Sequence, residues 1–123
     1  MEDKIEVNEY VRTDKGNIGK IVEIRLGFNK DTQLYQDIYI LDNGLWTVLD
    51  YIVKHSKQLI DLIEVGDIVE IRAGLYNIFK YFVENEDNLL LLEEQVKQFW
   101  NIETILTKES YMANCYKVGG KDE

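Results

Sequence analysis

The segment Val65-Gly66-Asp67-Ile68-Val69-Glu70-Ile71 contains the pattern that decides the fold. Its Gly-Asp pair favours a tight turn, because glycine tolerates a positive φ and aspartate readily hydrogen-bonds to neighbouring backbone. The residues that follow alternate between β-branched and polar side chains or run as short apolar stretches, which is typical of a strand. We therefore predict that a strand begins here and that the chain returns as a second strand between Leu75 and Val83.

An earlier segment, Val7-Asn8-Glu9-Tyr10-Val11-Arg12, has the same shape as Val65 to Glu70. In small barrels of the SH3 type, a turn of the form Val-Gly-Asp leads into a first strand. The two segments are either parts of an imperfect internal repeat or ordinary examples of how a strand starts after a turn. The predicted fold is mainly β, with two small SH3-like antiparallel strand sets packed together and one or two short helices.

The first half of the chain reads as four strands divided by turn sequences. Asp14-Lys15-Gly16 offers glycine a left-handed position, and Asp42-Asn43-Gly44 is a strong hairpin signal because Asn and Gly both tolerate positive φ. We predict that these strands form one twisted antiparallel unit. Their expected positions are residues 10–13, 17–26, 34–41 and 45–49.

Two later segments fit more than one structure. Residues 51–63 suit both a strand and a helical face, and we predict a strand end followed by one or two helical turns, with Ser56 as a cap. Residues 89–100 contain apolar side chains at helical spacing, but they also fit two strands of a hairpin. We predict the hairpin, with a strand at residues 88–92, a charged turn at 93–98 and a second strand at 99–106.

The end of the sequence is expected to close the fold. Thr107 is placed to cap a short helical turn in which Tyr111 and Met112 pack inward. Residues 116–118 are predicted to form a last strand, and residues 119–123 a frayed tail. The expected organisation is a single compact domain over residues 1–118, with sub-modules at residues 1–55 and 64–118.

The charge balance limits the kinds of partner. Fourteen basic against 23 acidic side chains give a net charge of −9, which repels phosphate backbones and anionic membrane surfaces at long range. Direct binding to nucleic acid or to a membrane is therefore not expected. The single cysteine, Cys115, forms no internal disulfide, and no apolar stretch suits a signal region or a bilayer span. We expect a cytoplasmic protein.

Residues for catalysis or metal binding are scarce. The chain has one histidine, His55, and one cysteine, 60 positions apart, whereas metal sites need clustered ligands. Ser56 follows His55, but adjacent side chains usually diverge and do not indicate a catalytic pair. No Walker or Rossmann glycine pattern occurs. The sequence predicts a protein without catalytic residues, metal or cofactor that acts by binding.

Two groups of charged residues are candidate binding sites. The first is acidic and could imitate the phosphates of a nucleic acid in a basic cleft, with an aromatic anchor beside it, although it also fits a solvated surface that maintains solubility. Its members are Glu84, Glu86, Asp87, Glu93, Glu94 and Trp100. The second is basic and could receive a phosphate or carboxylate, although it also fits ordinary exposed cations. Its members are Arg12, Lys20 and Arg72.

Several stretches, in the same order along most of the chain, resemble a loose set of small, mostly uncharacterised proteins encoded by phages and prophages of Gram-positive bacteria. They are Glu9-Tyr10-Val11-Arg12-Thr13 with Gly16 and Gly19-Lys20-Ile21; Ile52-Val53-Lys54-His55-Ser56; Ile60-Asp61-Leu62-Ile63-Glu64-Val65-Gly66-Asp67; and Ile105-Leu106-Thr107-Lys108-Glu109 with Tyr116-Lys117-Val118. The resemblance implies an origin and assigns no functional residue.

A phage origin implies three hypotheses for the function. Small acidic phage proteins without catalytic residues often resemble inhibitors of host defence, including the anti-CRISPR class, so the first is an inhibitor that binds a nucleic-acid-handling defence protein in the host cytoplasm through its acidic residues. The second is a module that sequesters a nucleotide immune signal with Arg12, Lys20 or Arg72. The third is an SH3-like adaptor or structural phage protein with an exposed aromatic groove.

Overall fold

The computed structural model describes residues 4–114. Cys115, the predicted strand at residues 116–118 and the tail at 119–123 lie outside the described residues, as does the side chain of Met112. The chain divides into two compact units, Met1–Leu62 and Ile63–Glu123. The sequence had suggested sub-modules at residues 1–55 and 64–118, within a single domain. The two units are described separately.

The first unit contains five antiparallel strands in the order β4-β3-β2-β1-β5. A 3-10 helix, Leu49–Tyr51, leads into β5, which returns to pair with β1, and a second 3-10 helix, Leu59–Leu62, follows β5. This meander with a returning last strand is the predicted SH3-like arrangement. The strands are β1 Tyr10–Thr13, β2 Ile18–Asn29, β3 Leu34–Leu41, β4 Trp46–Val48 and β5 Ile52–Ser56.

Strand β2 is long enough to serve two neighbours. Its first residues pair with β1, and from Ile21 onward it pairs with β3. The register of this second pairing shifts between Ile21 and Glu23. The shift bends the strand, as a bulge does, and lets one sheet curve around a small core. The core cluster contains the buried side chains of Ile5, Val11, Ile21, Tyr39 and Leu41.

The second unit contains three antiparallel strands in the order β7-β6-β8. Its elements are β6 Ile68–Ala73, β7 Asn77–Phe82, helix α1 Glu86–Gln98, β8 Trp100–Leu106 and helix α2 Lys108–Asn114. The described residues thus form two antiparallel sheets with two short α-helices, and the predicted mainly β class is confirmed. The first turn of α2 follows Thr107, whose Oγ1 accepts the Ser110 N–H at 3.4 Å, as the expected cap does.

The predictions of a strand at residues 88–92 and of a charged turn at 93–98 are wrong, because both segments belong to α1. The Asn85 side chain caps this helix by accepting the Asn88 N–H at 2.9 Å. Glu86 and Asp87 occupy its first turn and Lys97 its last, the positions that the helix dipole favours for each charge. The four consecutive leucines suit a strand as well as a helix, so the helical spacing of the apolar residues in 89–100 did not decide between the two. In chain order, α1 lies between the second and the last strand of the second unit, as β3 and β4 do in the first.

The two segments with similar sequences, at residues 7–12 and 65–70, form the same turn. Asn8 and Gly66 both have positive φ, of 80° and 103°. The Asn8 N–H donates to the carbonyl of Ile21 on β2 at 2.9 Å, and the Gly66 N–H donates to the carbonyl of Val83, just after β7, at 2.7 Å. Each turn then feeds the central strand of a three-strand group, β2-β1-β5 in the first unit and β7-β6-β8 in the second.

A buried carboxylate closes each of these turns. Glu9 Oε2 accepts the N–H of Glu6 at 2.9 Å, and Asp67 Oδ2 accepts the N–H of Glu64 at 2.8 Å. In both turns the donor lies three residues before the carboxylate. The acidic residue in each segment is therefore a structural part of the turn, since a buried carboxylate must be hydrogen-bonded.

The second oxygen of each carboxylate reaches the end of the last strand in its unit. Glu9 Oε1 lies 2.6 Å from His55 Nδ1 on β5, and Asp67 Oδ1 accepts the Lys108 N–H at 3.0 Å, directly after β8. We call these paired contacts the carboxylate bridges. Each bridge ties the turn before the central strand to the strand that closes the unit.

Candidate partner-binding surface

The predicted acidic residues lie on α1 and on the loop before it. Glu84, Glu86, Asp87 and Glu94 are exposed, whereas Glu93 is half-buried. Helix α1 is held at its start by Asn85 and by Asn88, whose Oδ1 accepts the Glu84 N–H at 3.0 Å. Among residues 4–114, the ion pairs of the second unit join Arg72 to Glu103 and Lys108 to Glu64, so none of the predicted acidic residues belongs to one. The charges of the four exposed carboxylates therefore face solvent.

Two leucines lie among these carboxylates. Leu90 and Leu91 are 59% and 47% exposed, and they follow Asp87 by three and four positions and precede Glu94 by four and three. Residues at these spacings share one face of a helix. We call Asp87, Leu90, Leu91 and Glu94 the α1 face. The neighbouring Leu92 is fully buried, so the helix uses another side for its own packing.

The end of α1 presents a different aromatic side chain from the one predicted. Trp100 is half-buried and packs edge-to-face on Phe79, with ring centroids 5.1 Å apart, and on Tyr81, at 5.9 Å. Its ring therefore contributes to the interior of the second unit. Phe99, the C-cap residue of α1, is instead 69% exposed. The aromatic residue that is exposed next to the helix is therefore Phe99, not the predicted Trp100.

The three basic residues of the alternative site are not gathered at an open surface. Arg12 is fully buried, and its Nη1 donates to the Leu62 carbonyl at 2.9 Å. This interior position contradicts the solvent-facing role that the nucleotide hypothesis gives to Arg12. Lys20 is half-buried, with its ammonium 5.8 Å from the centre of the Tyr10 ring.

Arg72 has a structural role in the β6–β7 hairpin. Its Nε donates to Glu103 on β8 at 3.0 Å, and its Nη1 donates to the Leu75 carbonyl in the turn at 3.1 Å. These contacts hold a turn in which Gly74 has a φ of 84° and Tyr76 is almost wholly exposed. The guanidinium that was a candidate phosphate ligand is therefore engaged within its own hairpin.

The residues considered for catalysis have structural partners. His55 contacts Glu9 in the first carboxylate bridge, while the Ser56 hydroxyl donates to Asp61 at 2.6 Å and accepts the N–H of Gln58 at 3.1 Å. Ser56 lies three residues before the second 3-10 helix and bonds to Gln58 and Asp61, so it is not the N-cap residue that was predicted. Within the described part of the chain, no group of three or more His, Cys, Asp or Glu side chains is placed to hold a metal ion.

The exposure of Leu90, Leu91 and Phe99 was not predicted. The signal that was available is the run Leu89 to Leu92, because four consecutive residues of a helix point in almost every direction around its axis. A helix packed on one side can bury only part of such a run, so exposed leucines follow once the segment is known to be helical.

No protein-family model, curated protein or solved structure matches the chain. Over residues 4–114, neither α-helix has the length and apolar character needed to cross a membrane.

Proposed function

We propose that the chain is a non-catalytic inhibitor that binds a basic, nucleic-acid-binding surface of another protein through helix α1. The observation that carries this proposal is the α1 face, where two exposed leucines lie between carboxylates. Large apolar side chains exposed beside charged ones are typical of protein interaction sites.

Charge supports a basic partner. The chain has a net charge of −9, and Glu86, Asp87 and Glu94 are exposed along one helix. Such a surface attracts a positively charged cleft at long range and competes with the phosphates that normally occupy it. On contact, Leu90 and Leu91 would lose water and supply affinity, since apolar burial is the main favourable term in association.

The resemblance to phage-encoded proteins suggests the class of partner. A phage gains from a small protein that blocks a nucleic-acid-handling defence complex of its host, as inhibitors of the anti-CRISPR class do. We therefore expect the partner to be such a complex and the inhibition to be competitive with nucleic acid. No catalytic step is required, because occupancy of the cleft is sufficient.

The test uses the intact chain as bait in a nuclease-treated lysate of a Gram-positive host, with mass spectrometry of the captured proteins. The expected result is capture of a nucleic-acid-binding protein, with binding weakened about 3- to 10-fold in the double variant Asp87→Asn/Glu94→Gln, because each exposed charge contact contributes roughly 0.2–1 kcal/mol. The matched control is Asp31→Asn/Asp37→Asn, which removes the same charge from exposed sites in the first unit and is expected to bind normally.

Leu90→Asn provides a second comparison that leaves the net charge unchanged. It is expected to weaken the same capture by shortening the apolar contact while helix α1 stays folded. A partner captured equally by all of these variants, or one with no affinity for nucleic acid, would contradict the proposal.

A further inference from the structure

A cleft of about 300 Å³ in the first unit lies outside the proposed inhibitory surface. It is formed by the β1–β2 turn, by β4 and by the 3-10 helix that precedes β5. Its volume is at the lower end of the range for ligand pockets, so it suits one side chain or a small group. The second unit has α1 where the first has β3 and β4, and this cleft depends on the elements that only the first unit contains.

Two aromatic side chains line the cleft and face solvent. Trp46 on β4 is 66% exposed and Tyr51 at the end of the 3-10 helix is 54% exposed. Trp46 is not part of the core of its unit, which contains Tyr39 as its one aromatic residue. Exposed aromatic faces at a concave site supply stacking area without a large loss of side-chain freedom.

The rest of the lining is polar, and part of it is fixed in place. Thr13 and Thr47 are buried side chains at the cleft, and Thr13 Oγ1 accepts the Asn17 N–H at 3.1 Å. The Asp14 N–H donates to the Tyr51 carbonyl at 2.9 Å and joins the β1–β2 turn to the 3-10 helix. The cleft is therefore built before any ligand arrives, and little ordering is needed on binding.

The cleft is lined by one carboxylate, Asp14, and one ammonium, Lys15. Attraction for a cation therefore comes from the net charge of the chain, −9, and from the exposed Asp50 next to Tyr51. A guanidinium is planar, stacks on Trp and Tyr faces, and donates hydrogen bonds to carboxylate, hydroxyl and amide oxygens. The Asp14, Thr13 and Asn17 side chains provide those acceptors.

We propose that this cleft binds the guanidinium group of an arginine that a partner protein presents on an extended segment. Charge complementarity selects this occupant over a second copy of the chain, because two copies with a net charge of −9 each repel one another. Arginine is favoured over lysine, since a compact, strongly hydrated ammonium uses neither the two aromatic faces nor the several acceptors as fully. This site is independent of α1 and acts whether or not the helix binds a basic cleft.

The test titrates the intact chain with three blocked tripeptides, acetyl-Gly-Xaa-Gly-amide, where Xaa is arginine, lysine or citrulline. The chain has two tryptophans, so the indole N–H signals of Trp46 and Trp100 in a ¹H–¹⁵N NMR spectrum separate the cleft from the interior of the second unit. The expected result is a saturable change in the chemical shift of the Trp46 signal with the arginine peptide at millimolar concentrations. The chemical shift of the Trp100 signal is expected to stay unchanged. Citrulline, which has the shape of arginine without its charge, is expected to bind at least 10-fold more weakly.

Two variants complete the test, and the spectrum of each shows whether it folds. Asp14→Asn is expected to weaken the arginine peptide about 5-fold or more and Tyr51→Ala about 10-fold, whereas Glu86→Gln on α1 leaves binding unchanged. Equal binding of arginine and citrulline, equal binding of arginine and lysine, or an unshifted Trp46 signal would each overturn the assignment.

Discussion

Replacement of Asp67 by alanine tests the carboxylate bridge of the second unit. The carboxylate is fully buried and accepts two backbone N–H groups, from Glu64 at 2.8 Å and from Lys108 at 3.0 Å. Hydrogen bonds to a charged group contribute about 1.5–3 kcal/mol each, and the variant leaves both donors without this acceptor. We expect a loss of roughly 3–4 kcal/mol in the free energy of unfolding, near the upper end for single substitutions.

Urea unfolding, followed by circular dichroism and by tryptophan fluorescence, measures this loss. With a slope of about 1–3 kcal/mol per molar urea, the midpoint is expected to fall by about 1–4 M. Asp67→Asn keeps one acceptor oxygen and is expected to lose about half as much. Asp31→Ala, at an exposed position, should stay within about 0.5 kcal/mol of the parent chain. A loss below about 1 kcal/mol for Asp67→Ala would refute the structural role of the bridge, since that is less than one charged hydrogen bond.

Three further substitutions test separate parts of the account. Burial, with a further contribution from Asp37, raises the pKa of the Tyr39 phenol, so this group stabilises the fold below its unfolded pKa of about 10 and the stabilisation is lost as pH rises further. Tyr39→Phe should remove that alkaline loss, measured as the difference in unfolding free energy between about pH 8 and pH 11 in urea. An equal loss of stability between these pH values in the parent chain and in the variant would contradict this role of Tyr39. Gly66→Ala should lower the free energy of unfolding in urea by about 1–3 kcal/mol, because φ is +103° and the new Cβ would lie 3.1 Å from the Lys108 side chain. In Gly74→Ala the new Cβ meets open space, so only the backbone strain at a φ of +84° destabilises the variant. Arg72→Ala should speed amide hydrogen exchange in the β6–β7 turn and leave β1–β3 unchanged, and unaltered exchange would show that Arg72 does not hold the hairpin.

The strands were predictable where local chemistry and the final pairing agree. Strands β1 and β3 have the predicted bounds because Gly16 and Gly44, each with positive φ, end the neighbouring turns as the sequence indicates. The resemblance between residues 7–12 and 65–70 also had a physical basis, since both form a turn closed by a carboxylate. What the sequence could not give is the second partner of each carboxylate, because His55 and Lys108 lie more than 40 positions away and meet it only in the folded unit.

The helix and the surface residues were harder to predict for a related reason. In α1 the helical spacing of the apolar residues also fitted a hairpin, and the decisive signals were Asn85 as N-cap and the charges at the helix ends, which also fit a polar turn. The different exposures of the two tryptophans follow from their neighbours, since both lie on edge strands, β4 and β8. Trp100 packs on Phe79 and Tyr81, whereas Trp46 lines an open cleft.

The most direct test of the inhibitor proposal is release of nucleic acid from the captured partner. A fluorescently labelled oligonucleotide is bound to that protein, and its anisotropy is followed while the intact chain is added. The account predicts a fall to the value of the free oligonucleotide, with Asp87→Asn/Glu94→Gln requiring about 3- to 10-fold more protein and Asp31→Asn/Asp37→Asn requiring no more than the parent chain. An oligonucleotide that stays bound while the chain also binds would contradict the account, because the acidic helix would then occupy some other surface.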